Sequence, residues 1–78
     1  MFQLSGVEEN RYDAFLKTVG RNVRNIRVSK GLSMENLANE ANMEFRQLGR
    51  IERGEINTTI TSLYKLAEAL KVSINDFF

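Results

Sequence analysis

The sequence has 78 residues, 42% hydrophobic and 27% charged, with no cysteine or histidine and a formal net charge of +1 from 11 basic and 10 acidic residues. That is the size and balance of one small globular domain, burying only roughly 60% of its unfolded surface. It excludes disulfide staples, thiolate or imidazole metal sites and histidine-activated nucleophiles, and no acid–base constellation replaces them, so neither an enzyme nor a cofactor is expected.

Without proline, the breaks fall to glycine and small polar residues. The apolar period reads as five short helices and no strand, an all-α fold. Residues 1–12 form a leader of undetermined order, free to extend the first helix, join a dimer contact or stay mobile. The domain proper is expected over 13–78. Its first helix runs from about Asp13 to Ser29, with an earlier start near Val7 as the alternative. Phe15, Leu16, Val19, Val23 and Ile26 recur at three- and four-residue steps, opposite Arg21 and Arg24. Gly20 inside that helix costs about 1 kcal/mol relative to alanine, which points to a close helix contact. Gly31 terminates the helix.

Ser33 is an N-cap residue with Glu35 in the following turn, and Met34, Leu37, Ala38 and Ala41 form an apolar stripe on a second helix of about two turns. Asn42 ends it. The third helix spans about Glu44 to Arg53 and stops at Gly54; the fourth starts after Thr59, with Ile60, Leu63, Leu66, Ala67 and Leu70 as its buried face. The last runs from Ile74 to Phe78, capped by Ser73, with Asp76 completing a variant capping box.

Charge is distributed unevenly. Lys17, Arg21, Arg24, Arg27 and Lys30 form a block without an acid, preceded by Glu8, Glu9 and Asp13. The stretch "FRQLGRIERG" then places Arg46, Arg50 and Arg53 four and three residues apart. If Leu48 and Ile51 anchor this helix to the core, an ideal helix turns the three guanidiniums outward, flanked by Phe45, Gln47 and Gly49. Arginine forks suit guanine edges and phosphates, glutamine pairs with adenine, and Phe45 can touch a thymine methyl. Gly49 admits two readings, close packing against the second helix or a tolerated weak point.

Two short helices joined by a tight turn match the helix-turn-helix unit. The segments "GRNVRNIRVSKGLSMENLA", "LGRIERGEINTTITSLYKLAEAL" and "VSINDFF" occur in the right order at the right spacing, and together they resemble the lambda-repressor-like (Xre/Cro) helix-turn-helix family over Val19 to Phe78. Within it the chain looks most like small stand-alone regulators such as the controller proteins of restriction–modification systems.

The resemblance implies a sequence-specific regulator of transcription that binds double-stranded DNA as a homodimer on a palindromic operator. It places Phe45, Arg46, Gln47 and Arg50 on bases, and Arg53, Asn57, Thr58, Thr59 and Ser33 on phosphates. It makes Arg27 and Glu52 a largely buried ion pair, and makes the last helix, with Ile74, Phe77 and Phe78, the two-fold interface. The residues alone leave open whether those three simply close the monomer core.

The sequence departs from the family at Met34, where glutamine usually meets a phosphate, at Glu44, a weak cap, and at Thr58, where proline is common. Met34, Glu44 and the near-neutral charge leave an alternative, an antitoxin-like protein-interaction module on the same fold. No small-molecule ligand is expected. No apolar run approaches the ~18 residues of a membrane span, and "MFQLSGVEENRYD" carries acids where a signal peptide carries basic residues. A cytoplasmic chain without a membrane partner is the simplest inference.

Overall fold

The computed structural model describes the backbone from residue 5 and the side chains from residue 12 to the end of the chain. Four α-helices follow one another, α1 (Ser5–Ser29), α2 (Met34–Glu40), α3 (Phe45–Glu52) and α4 (Ile60–Leu70), and a single 3-10 turn covers Ile74–Phe77. No strand occurs among the described residues. Of the segment 1–12, residues 1–4 lie outside the described residues, and α1 takes in the rest.

The expected fifth helix is corrected to that 3-10 turn. Four residues are too few for a run of i→i−4 bonds. Ser73 Oγ instead accepts the Asn75 N–H at 3.1 Å and the Ser73 carbonyl accepts the Asp76 N–H at 2.9 Å. The cap is therefore one residue tighter than a capping box.

Local chemistry sets the other boundaries. Ser33 Oγ accepts the Asn36 N–H at 3.0 Å and Thr59 Oγ1 accepts the Ser62 N–H at 3.0 Å, so α2 and α4 each start on a side-chain cap. Glu44 stands at the N-cap of α3 but makes no side-chain cap bond. Asn42 and Gly54, with φ of 54° and 69°, turn the chain out of α2 and α3.

The core is one cluster fed by every element. Val19 and Val23 of α1 meet Leu37 and Ala38 of α2, Leu48 and Ile51 of α3, and Leu63, Leu66, Ala67 and Leu70 of α4. Phe77 plugs the end, fully buried at 0% exposure, and its carbonyl accepts a hydrogen bond from Asn22 Nδ2 at 2.9 Å. Gly20 sits where α1 crosses α3. A Cβ there would fall against the Ile51 carbonyl oxygen and 2.6 Å from that of Glu52, so the two backbones meet with no room for a methyl group.

Two residues assigned to buried stripes lie outside them. Ile60 is 68% exposed because it is the first residue of α4, about 70° from the centre of that helix's buried face. Phe15 is half-exposed and stacks on Phe78 instead, with ring centroids 6.0 Å apart and planes within 4°.

Candidate nucleic-acid interface

The α2–turn–α3 unit is held rigidly from behind. The Met43 N–H donates to the Ala38 carbonyl at 2.9 Å across the turn, while Leu37, Ala38 and Ala41 are buried against the core that also takes Leu48 and Ile51. With Leu48 and Ile51 inward, Arg46 and Arg50 are exposed, and neither makes a hydrogen bond or ion pair with another described residue. Phe45, 57% exposed, stands beside them at the first position of α3.

Gly49 is buried between its neighbours. A Cβ at this position would lie 3.3 Å from Met34 Cε and 3.1 Å from Arg53 Nη1. Close packing against α2 is therefore the reading that holds, and the Met34 side chain is half-buried against the core. The same geometry lays the Arg53 guanidinium back over α3.

A buried ion pair ties α3 to α1. Arg27 Nε donates to Glu52 Oε2 at 2.7 Å and Nη2 donates to Oε1 at 3.1 Å, a two-pronged arrangement that fixes both planes. The remaining prong, Nη1, donates to the Leu32 carbonyl at 2.9 Å, so Arg27 also braces the loop leading into α2. Of the basic block, this member is withdrawn from the surface; Lys17, Arg21, Arg24 and Lys30 are exposed.

Several side chains assigned to DNA in the sequence are engaged elsewhere. Gln47 is half-buried and its Nε2 donates to Ser62 Oγ at 3.4 Å, a long bond that leans the amide toward the start of α4. Thr58 differs from its neighbours: its Oγ1 is buried and has no hydrogen-bond partner. Thr59 spends its Oγ1 on capping α4, and Ser33 does the same for α2, though both residues remain exposed, as does Asn57.

Phe77, expected at the two-fold interface, is fully buried in the core; Ile74 packs half-buried against that core, and Phe78 is 53% exposed.

Glu55 was absent from the sequence reading. It accepts two hydrogen bonds from Arg53, from Nε at 2.7 Å and from Nη2 at 3.2 Å. The hydrogen bond from Arg53, reinforced by the charges of Arg53, Arg50 and Lys17, holds the Glu55 carboxyl below its ordinary value, and the same bond raises Arg53. The carboxylate therefore stays charged through the neutral range, and protonation releases Arg53 only below the usual carboxylate range. The available signal was an acid two residues beyond an arginine, across a glycine that turns the chain.

A helix-turn-helix family model, HTH_3, matches residues 23–77. The chain belongs to this family, the Xre or lambda-repressor-like helix-turn-helix regulators. The uncharacterized HTH-type transcriptional regulator y4dJ of Sinorhizobium fredii is 40% identical over 57 residues, covering 73% of this chain and 74% of that protein. Among solved structures, the restriction–modification controller protein C.AhdI of Aeromonas hydrophila superposes with a TM-score of 0.82 at 35% identity, over 83% of this chain and 98% of that one. The wild-type controller protein C.Esp1396I gives a TM-score of 0.75 at 36% identity, over 82% and 83% of the two chains. No helix among the described residues is long and apolar enough to cross a membrane.

Proposed function

We propose that this HTH_3 protein is a sequence-specific double-stranded-DNA-binding regulator of transcription that inserts α3 into the major groove and acts as a homodimer on a palindromic operator. The observation that carries this reading is the outer face of α3. Arg46 and Arg50 project from a helix whose opposite side is packed, and neither makes a hydrogen bond or ion pair with a described residue, although the charge of Arg50 also acts on Glu55. A guanidinium without an internal partner, on a rigid helix of groove-fitting width, is suited to the paired acceptors of guanine. Phe45 adds an apolar contact for a thymine methyl, and Gln47 reaches a base edge after leaving Ser62. Arg53 lies against α3 at Gly49. Ser33 and Thr59 are exposed at the starts of α2 and α4, and Asn57 is exposed beside Tyr12, Phe15 and Leu16; these four are the residues suited to phosphates.

The homodimer is supported by the half-exposed Phe15–Phe78 stack at the C-terminal end, with Tyr12 and Leu16 close by. A two-fold pairing there presents two α3 helices for half-sites about one helical turn, ~34 Å, apart. Likeness to controller proteins of restriction–modification systems supports a small regulator of that kind.

Selection of bound sequences from random duplex DNA at two salt concentrations tests the reading, and an inverted repeat is the expected product. Recovery of no enriched sequence sinks the operator; an enriched single half-site together with a monomer in sedimentation sinks the dimer. On the recovered site, Arg46→Ala or Arg50→Ala should each cost about 1–3 kcal/mol and relax preference at one base position. Equal losses on the selected and a mixed-sequence duplex would remove that arginine from the base-reading set.

A further inference from the structure

The chain after α3 doubles back at Gly54, whose φ is 69°. A Cβ there would lie 2.7 Å from Lys17 Cα, so the loop is seated directly on α1. This turn brings Arg53 and Glu55 into the fork-to-fork geometry in which arginine also takes a phosphate, at 2.7 and 3.2 Å. Both side chains are about half exposed, so the pair is open to exchange with solvent anions. The Arg53 guanidinium lies over Gly49, on α3 itself, which makes the pair contiguous with the Arg46–Arg50 face. Lys17 and Arg50 add positive charge around the same carboxylate.

We propose that Arg53 forms a backbone-phosphate site at the edge of α3, and that the Glu55 carboxylate occupies this site in the unbound protein as a tethered stand-in for the phosphate. The inference rests on the DNA-binding reading and adds a residue that opposes binding. A DNA phosphate must displace Glu55 before Arg53 can grip it, so Glu55 lowers affinity for every sequence alike and leaves discrimination between sequences to Arg46 and Arg50. An acid fixed at this place restrains retention on non-specific DNA, where phosphate contacts supply nearly all of the attraction.

The test is a cycle of Glu55→Gln, Arg53→Gln and the double variant, measured by equilibrium binding at two salt concentrations on the selected duplex and on a mixed-sequence duplex. Glu55→Gln should tighten both by about two- to fivefold and steepen the salt dependence by up to about one. In the Arg53→Gln background the same change should have little effect. A weaker or unchanged Glu55→Gln complex overturns the proposal, because Glu55 would then be orienting Arg53 toward DNA or be irrelevant to it. An equal gain in the Arg53→Gln background also overturns it, by reducing the effect to loss of one negative charge.

A readout without DNA guards the cycle. By carboxyl NMR, Glu55 should titrate below the ordinary carboxylate range and return toward it in Arg53→Gln; no change would show that the pair is absent in solution. If the wild-type protein binds neither duplex, the DNA-binding reading itself fails; if it binds while the cycle shows no coupling, only the phosphate stand-in fails.

Discussion

Glu52→Leu should destabilise the fold by about 3–5 kcal/mol, because it strands the Arg27 guanidinium, buried at 8% exposure, without its counter-charge. Whole domains of this size have about 4–12 kcal/mol of stability in total, so the variant should be largely unfolded on modest heating. Arg27→Met should cost a similar amount, since it leaves the Glu52 carboxylate buried and releases the Leu32 carbonyl from its donor at 2.9 Å. The informative variant is the double, Arg27→Met with Glu52→Leu. Ion pairs of this kind can be replaced together by apolar groups of similar volume at little net cost, so the double should be more stable than either single.

Denaturant unfolding of all four proteins measures the coupling. Additive losses would show that Arg27 and Glu52 act through packing alone. The pair also has a bearing on recognition. It joins α1 to the last turn of α3, next to the arginines of the outer face, so a shift of α3 in the surviving double variant should appear as weakened DNA binding at preserved stability.

Gly20→Ala should likewise destabilise the protein, by about 2–3 kcal/mol, against the direction set by helix propensity. In an open helix the substitution is worth about 1 kcal/mol of stabilisation. At this crossing the added methyl group meets the backbone carbonyls of Ile51 and Glu52, the latter at 2.6 Å. Backbone cannot rotate away as a side chain can, so α1 and α3 must separate, and the apolar residues between them lose packing. Urea unfolding checks the sign: an unchanged or raised midpoint would mean that the helices are farther apart than described. Separation would also carry Arg46 and Arg50 with it, so the variant's DNA affinity should fall more than that of an equally destabilised variant in the α4 portion of the core.

Much of the architecture is legible along the chain because its causes are local. Ser33, Thr59 and Ser73 mark helix starts, since a short side-chain oxygen reaches an amide only two or three residues on. Gly31, Asn42 and Gly54 mark stops because the chain there takes positive φ. The inward turn of Leu48 and Ile51, and with it the outward turn of Arg46 and Arg50, follows from helical period alone. The Arg27–Glu52 pair spans 25 residues and carries no local signal; only the family pattern pointed to it.

The remaining features depend on which neighbour covers each helix end and on how a loop folds back, neither of which a period encodes. Phe77 and Phe78 are adjacent and chemically identical, yet one fills the core and the other stands half in solvent, because the 3-10 turn aims only the first inward. The Thr58 hydroxyl is buried and Ile60, two residues later, is exposed, for the same reason of placement at the entrance to α4. The union of Arg53 with Glu55 needed the positive φ of Gly54 and its seat on Lys17. Short-range chemistry and periodicity thus determined which segments are helical and how α3 is sided, while long-range packing decided which of its charges are left without an internal partner.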